Sequence, residues 1–156
     1  MKIFYCILIL AIFSTFSCTL EIENKKNAAR NLIEKDKEFS EYSIHHGLRN
    51  AFFEYADSAA VLLKPEMMPL KGTRSIYNYY NRVNDRDLKL SWVPLDATIA
   101  RSRDLGYTYG IWELSSPDSI MRGTYVTIWK KDKNGEWKYV LDSGNDSLGR
   151  SYIDAD

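Results

Sequence analysis

The chain has 156 residues, of which 45% are hydrophobic and 13% are aromatic. This is enough for one domain with a packed core, too little for two ordinary domains, and too aromatic for a disordered chain. The 21 basic residues equal the 21 acidic ones, so no cationic excess is available to neutralise phosphates. The composition therefore argues against nucleic acid as a partner.

The N-terminus has the pattern of a secretory signal peptide. Lys2 is followed by an apolar stretch over residues 3–13, and small and polar residues lead up to Cys18. The apolar stretch is shorter than the about 20 residues that a membrane-spanning helix needs. We therefore predict residues 1–17 as a signal peptide, residues 18–26 as a tether, and export to the cell envelope.

Cys18 suggests how the exported protein is held. The residues before it resemble the lipobox of bacterial lipoproteins: Ser17 fits the small residue at the cleavage point, whereas Thr15 and Phe16 depart from the usual pattern. Cys6 would leave with the signal, so Cys18 would have no disulfide partner in the chain. We predict that Cys18 is lipidated and anchors the protein to the membrane. The alternative is a plain signal, cleaved nearby, with Cys18 unmodified.

The first half of the mature chain is predicted to be helical. Apolar residues at spacings of three and four indicate a helix from Ala28, and a second helical stretch begins at residue 48 and is closed by Asp57 and Ser58. The apolar run over residues 59–63 indicates a short strand. A third helix is predicted over residues 73–83, with Thr73 able to serve as its N-cap.

The second half changes to a period of two. This alternation predicts four long strands, over residues 88–101, 107–114, 121–130 and 137–142. Pro94 implies an edge strand or a bulge, and Asn134-Gly135 is a hairpin signal. Gly110 and Gly123 are plausible bend points. Helices followed by strands favour an α+β domain in which a curved antiparallel sheet wraps around three N-terminal helices.

Three segments extend this reading to a family. The stretches "AFFEYADSAAVLL", "LKGTRSIYNYY" and "RGTYVTIWKKDKNGEWKYVLDSG" resemble the nuclear transport factor 2-like superfamily, which includes ketosteroid isomerase and the SnoaL-like cyclases. They are similar to a branch of unknown function that is often found in exported bacterial proteins. The resemblance covers residues 27–146 and leaves residues 147–156 as a polar tail. It implies a cone-shaped, cystatin-like topology, a pocket at the open end, and a homodimer formed through the sheet.

The isomerase chemistry of that superfamily does not transfer to this chain. Ketosteroid isomerase uses a carboxylate base and an oxyanion hole built from a Tyr and a protonated Asp. The base lies just before a proline after the first strand, where this chain has Lys64, and residues 121–130 contain no Asp or Glu. His45 and His46 diverge by about 100° on a helix, which is unsuited to one metal. We therefore predict neither a metal nor a cofactor.

The strands nevertheless carry candidates for a binding site. Aromatic walls with a few directed polar groups suit a small organic ligand. The predicted lining residues are Trp92, Tyr107, Tyr109, Tyr125, Trp129 and Asp142. The first hypothesis is a non-enzymatic pocket for a small apolar or amphipathic molecule, or a module that binds a partner protein. The second is a SnoaL-like enzyme that uses Asp142 and tyrosine hydroxyls, such as that of Tyr125, for acid–base chemistry.

Both hypotheses leave simpler alternatives open. Each aromatic residue could be plain core, and Asp142 could cap the turn formed by Ser143 and Gly144. The sequence does not say which face of the sheet each residue takes, because a slip of one residue inverts the assignment.

Replacement of the predicted lipidation site tests the anchor. Cys18→Ser removes the acyl acceptor, and each buried CH₂ of an acyl chain contributes about 0.8 kcal/mol to attachment, so we expect the variant to leave the membrane fraction. Cell fractionation after a high-salt wash measures this. Cys6→Ser, which changes only the predicted signal, is the control and should remain membrane-bound. Retention of the Cys18→Ser protein after the wash would show that the anchor is something else.

Overall fold

The structure, a computed structural model, describes residues 2–84 and 87–148, with side chains described for residue 23 and from residue 25 onward. The predicted α+β class is confirmed, and long strands follow the helices. In chain order the elements are α1 (Lys2–His46), α2 (Leu48–Glu54), β1 (Ala56–Leu63), β2 (Leu70–Lys71), α3 (Thr73–Tyr80), β3 (Lys89–Ile99), β4 (Leu105–Ser115), β5 (Ile120–Lys131) and β6 (Trp137–Asp146).

The strands form one curved, open sheet in the order β2-β1-β6-β5-β4-β3. Strands β3 to β6 form the predicted antiparallel meander. The sheet is mixed rather than wholly antiparallel, because β1 runs parallel to β6. Parallel neighbours cannot be joined by a hairpin, and here α3 and the first three strands of the meander separate them along the chain. This pairing brings the end of β1 beside the end of the last strand.

Strand β3 is the edge strand that Pro94 predicted. The register with β4 also shifts between Pro94 and Asp96, so the position is both an edge and a bulge. Helix α1 covers part of this edge: the Trp92 backbone N–H donates a hydrogen bond to Ser40 Oγ at 2.7 Å. A helix that satisfies an edge-strand donor also protects the edge from pairing with another chain.

The core between helices and sheet is centred on Phe39 of α1. Its ring contacts five aromatic rings, with centroid distances from 4.6 to 6.0 Å, and these belong to Phe52, Tyr55, Trp92, Trp129 and Tyr139. Aromatic pairs of this kind contribute about 0.5–1.5 kcal/mol each beyond their buried area. The cluster therefore packs α1 and α2 against strands from both halves of the sheet.

Two local predictions need correction. Asp57 and Ser58 lie in β1 rather than at the end of α2. Helix α3 is preceded by Gly72 at the N-cap position, and no side-chain hydrogen bond from Thr73 caps it. The Gly72 N–H instead donates to the Ala60 carbonyl at 2.8 Å, so the start of α3 is attached to β1. A positive φ of 78° explains why glycine occupies this position.

The N-terminal predictions remain predictions. Residues 1–17 and 18–26 were assigned to a signal and a tether, and from Lys2 onward the described backbone there belongs to α1. The side chain of Cys18 is outside the described part of the structure, as are residues 149–156 of the predicted tail. Within the described part, no helix combines the length and apolar character needed to cross a bilayer.

β3 and β4 approach each other closely at Gly110, beside the bulge. A substitution at Gly110 tests whether the fold requires this close approach. A Cβ at this position would lie 2.1 Å from the Val93 carbonyl oxygen and 2.8 Å from the Tyr125 ring. Gly110→Ala should lower the free energy of unfolding by at least about 2 kcal/mol, because backbone atoms must move to admit the methyl group. Urea denaturation measures this change.

The matched control is Gly135→Ala in the β5–β6 turn. A Cβ there meets no atom within 4 Å, although φ is 84°. The expected cost is about 1 kcal/mol, from the left-handed backbone alone. Equal losses for the two variants would contradict the close approach at Gly110.

Candidate functional site

A cavity of about 230 Å³ lies between the concave face of the sheet and helices α2 and α3. Its walls are mostly apolar and include Leu48, Val83, Leu90, Trp112, Leu114 and Met121. The volume exceeds the about 150 Å³ that accommodates benzene in an engineered protein cavity, and it is below the about 300–1,000 Å³ typical of drug-sized ligands. The cavity is therefore the right size for a small organic molecule.

A β-bulge places Asp142 in this cavity. Tyr139 pairs with Trp129, and Leu141 pairs with the adjacent Ile128, so β6 has one extra residue, Val140. The extra residue reverses the alternation of faces. Asp142 consequently shares the concave face with Tyr139, although the two residues are an odd number of positions apart. The predicted alternative, in which Asp142 caps a turn, does not describe its position.

Asp142 is a half-buried acid held by one neighbour across the sheet. The Thr127 hydroxyl on β5 donates a hydrogen bond to Asp142 Oδ2 at 2.6 Å. Burial raises the pKa of Asp142 to about 6, against the opposing effects of Thr127 and of the Lys64 charge. A carboxyl group with a pKa near neutral pH can both accept and release a proton under ordinary conditions.

Lys64 follows β1 and also lines the cavity. Its ammonium lies 5.9 Å from the centroid of the Phe52 ring and 5.7 Å from that of Tyr80. Burial lowers the pKa of Lys64, while Asp142 and Asp146 act in the opposite direction. Within the described part of the chain, the ammonium makes no hydrogen bond or ion pair.

Tyr80 adds a second polar group without a partner. Its side chain lines the cavity and is 4% exposed, and its hydroxyl has no hydrogen-bond partner among the described residues. Burial raises the pKa of Tyr80 well above its ordinary value, so the hydroxyl stays protonated. Most buried hydroxyls in proteins are satisfied, and an unsatisfied one beside a cavity is suited to contact a bound molecule.

Tyr125 and Trp92 line the cavity with their polar atoms directed away from it. The Tyr125 hydroxyl donates to Asp36 Oδ2 and the Trp92 indole N–H donates to Asp36 Oδ1, both at 2.7 Å. Asp36 is fully buried on α1, and burial raises its pKa against these hydrogen bonds. Burial and Asp36 together raise the pKa of Tyr125. The two aromatic residues therefore supply walls to the cavity and donors to the core.

The other three predicted lining residues lie elsewhere. Trp129 is fully buried in the core, where its indole N–H donates to the Thr108 hydroxyl at 2.9 Å. Tyr107 and Tyr109 are 41% and 43% exposed, on the convex face of β4. The structure thus brings Trp92, Tyr125 and Asp142 together and leaves the others out of the cavity. The convex face is where the expected homodimer would form, and that expectation stays a prediction.

Lys64 and Tyr80, which line the cavity, and Asp36, which supports it, were not predicted as site residues. Lys64 was considered only as a residue in place of a base, and Tyr80 only as part of a helix. Asp36 occupies an apolar position in the periodicity of α1, and that contradiction in the pattern was the available signal. No local signal marks Tyr80, because its burial depends on α2 and the sheet.

The described residues contain no cluster of three His, Cys, Asp or Glu side chains that could hold a metal ion. His45 and His46 are both exposed at the end of α1. The ionisable groups that line the cavity are the amine of Lys64, the carboxyl groups of Asp142 and Asp146, and tyrosine phenols that include Tyr80.

Comparisons with known proteins agree with the fold. No family model matches the chain, and no curated protein matches it. Among solved structures, a domain of unknown function with a cystatin-like fold from Nostoc punctiforme is 15% identical, with a TM-score of 0.66 over 78% of this chain and 79% of that chain. A ketosteroid isomerase-like protein from Erwinia carotovora atroseptica is 12% identical, with a TM-score of 0.62 over 75% and 95%.

A third similar structure matches a larger share of this chain. It is a nuclear transport factor 2-like protein with a cystatin-like fold from Novosphingobium aromaticivorans, 11% identical, with a TM-score of 0.62 over 91% of this chain and 94% of that chain. At these identities the likeness concerns the fold. The chain has the cystatin-like fold of nuclear transport factor 2-like domains, as the resemblance of its sequence implied.

The raised pKa of Asp142 predicts a pH-dependent cost to stability. Between its ordinary value of 3.8 and about 6 the folded state binds a proton that the unfolded state releases, so stability falls as pH rises through this range. Asp142→Asn should therefore raise the free energy of unfolding by about 1 to 3 kcal/mol at pH 8, since each pKa unit corresponds to about 1.4 kcal/mol. The gain should shrink to below about 1 kcal/mol near pH 4, where the folded state is protonated and the unfolded state is nearly half protonated.

Urea denaturation at the two pH values measures the effect. Asp118→Asn, on an exposed turn, is the control and should change stability little at either pH. The groups that act on Asp142 are Thr127, Lys64 and Asp36, and all remain in the variant. A gain of the same size at both pH values would contradict the burial of an ionisable Asp142.

Proposed function

We propose that this domain binds a small amphipathic molecule in the cavity. The molecule would place its apolar part against the aliphatic and aromatic walls and an oxygen-bearing group near Lys64, Tyr80 and Asp142. The observation that carries the proposal is the Tyr80 hydroxyl, buried without a hydrogen-bond partner among the described residues, beside the Lys64 ammonium, which forms no hydrogen bond or ion pair there, in a mostly apolar cavity.

The energetic reason is the cost of unsatisfied polar groups. A buried donor or acceptor without a partner costs about 1–3 kcal/mol, and a ligand oxygen at this end of the cavity would remove that cost. Asp142 extends the same argument, because its carboxyl group can accept from a ligand hydroxyl when ionised or donate to a carbonyl when protonated. A fully apolar ligand would leave the Lys64 ammonium and the Tyr80 hydroxyl unpaired.

We propose further that the domain works at the cell envelope, tethered through lipid on Cys18. This rests on the N-terminal sequence pattern alone. A tethered pocket would meet molecules that pass through the envelope or partition from its membrane, and an amphipathic ligand is of that kind. Binding of a partner protein, the other form of the first hypothesis, has less support, because the unpaired polar groups lie inside a cavity rather than on an exposed face.

A second candidate function is an enzyme of the SnoaL-like kind. It is favoured by one observation: Asp142 and Tyr125, the two groups that such chemistry would use, line the same cavity. The pKa of about 6 for Asp142 suits proton transfer near neutral pH. The Tyr125 hydroxyl, however, already donates to Asp36. It is directed away from the cavity and is therefore not placed as the donor of an oxyanion hole there.

A variant that fills the cavity tests the binding proposal. Val83→Phe enlarges a side chain that lines the cavity, and Val126→Phe makes the same change on the convex face. The probe is 3-phenylpropanol, which has one ring, a short alkyl chain and one hydroxyl. Trp92 and Trp112 both line the cavity, so binding should change the intrinsic fluorescence.

We expect saturable binding by the wild type and by Val126→Phe, and at least about tenfold weaker binding by Val83→Phe, a loss of about 1.4 kcal/mol. Circular dichroism checks that both variants fold. No saturable binding by the wild type, or equal binding by the two variants, would overturn the assignment of the cavity as a ligand site.

A further inference from the structure

The end of β1 and the end of β6 bring an amine and a carboxyl group into one small apolar space. Leu62 pairs with Asp142 and Leu63 pairs with Ser143 in the parallel register, so Lys64 lies just beyond the carboxyl-bearing position on the neighbouring strand. Both side chains line the cavity. This arrangement exists only because β1 pairs with the last strand of the meander.

The Lys64 amine differs from those described lysines that have a carboxylate or carbonyl partner. Lys35 and Lys37 are paired with glutamates on α1, and Lys138 donates to the Glu54 carbonyl. Lys64 instead lies against the rings of Phe52 and Tyr80. Within the described residues the ammonium forms no ion pair, although Asp142 and Asp146 line the same cavity and act on its charge.

The surroundings also favour the neutral amine. Burial lowers the pKa of Lys64, which increases the fraction of Lys64 that carries a free electron pair at neutral pH. A desolvated lysine in an apolar pocket is one of the recognised ways in which proteins activate an amine as a nucleophile.

We infer that Lys64 forms a covalent imine with a small apolar aldehyde or ketone bound in this cavity. The inference rests on the proposed binding function and names the chemical class of the ligand. Imine formation differs from the chemistry of ketosteroid isomerase, which uses a carboxylate base where this chain has Lys64. Lys64 would act as a nucleophile rather than as a base.

The chemistry balances with the groups in the cavity. The Lys64 nitrogen attacks the carbonyl carbon, the C–N bond forms, and the electron pair of the C=O π bond moves to oxygen, which takes up a proton. Loss of the nitrogen proton gives a neutral carbinolamine. The carbinolamine C–O bond then breaks and water leaves. One amine and one carbonyl compound thus give one imine and one water molecule, with no oxidant or reductant.

Asp142 and Tyr80 are placed to assist the two stages. Asp142, with a pKa of about 6, can deliver a proton to the departing hydroxyl group and recover one from nitrogen. The unpartnered Tyr80 hydroxyl can donate a hydrogen bond to the carbonyl oxygen as negative charge develops on it. The cavity walls around these groups are mostly apolar.

Reductive trapping tests the inference on the full chain. The protein is incubated with 3-phenylpropanal, reduced with borohydride, digested, and mapped by mass spectrometry. We expect the N-alkyl adduct on Lys64 at an occupancy at least about tenfold above that on the exposed Lys133, because the cavity would hold the aldehyde beside the Lys64 amine. Uniform labelling of lysines, with no preference for Lys64, would overturn the inference.

Three further measurements make the result specific. Lys64→Arg should abolish the preferred adduct and leave labelling of Lys133 unchanged. Asp142→Asn should keep Lys64 as the labelled site and slow its modification. Excess 3-phenylpropanol should protect Lys64 in the wild type, which checks the site without any substitution. Failure of the alcohol to protect Lys64 would place the labelling outside the cavity and would contradict the inference.

The alcohol also separates the two proposals. Saturable fluorescence binding of 3-phenylpropanol without an adduct on Lys64 would retain the binding function and refute the imine. Absence of both would refute both. A preferred adduct together with alcohol binding supports both.

Discussion

The buried carboxylate of Asp36 determines how the helices sit on the sheet. It lies on the buried face of the helix, and it accepts hydrogen bonds from Trp92 on the edge strand and Tyr125 two strands further in. An unpaired carboxylate in this position would cost several kcal/mol, so the helix and both strands must keep the geometry that pairs it. Phe39, about one turn further along α1, packs its ring against the same region.

The cavity is a consequence of that docking. Helix α1 covers one part of the concave face and contributes no lining residue, within the described part of the chain, to the cavity beyond it. Helices α2 and α3 cover the remainder incompletely. The polar groups left there, Lys64, Tyr80 and Asp142, lower stability in the empty protein. Natural proteins tolerate such local violations of good packing mainly where function uses them.

The fold was largely readable from the sequence, and the site only in part. Periodicity identified three helices and four strands, and Pro94 marked the edge strand because a residue without an N–H is confined to such positions. Trp92, Tyr125 and Asp142 do line the cavity. Tyr107 and Tyr109 point to the convex face, since strand alternation does not reveal which face is concave. Lys64 was singled out only because it occupies the position where ketosteroid isomerase has its carboxylate base.

The sequence by itself determined the class of the domain, the order of its elements and the turn at Asn134-Gly135, because these depend on the spacing of neighbouring residues. Only the tertiary structure decided that Lys64 and Asp142 share a cavity. They are far apart along the chain, and their proximity depends on a parallel pairing of β1 with β6 and on one extra residue at Val140. Neither depends on a local pattern, since both concern how strands that are distant in the sequence pair with one another.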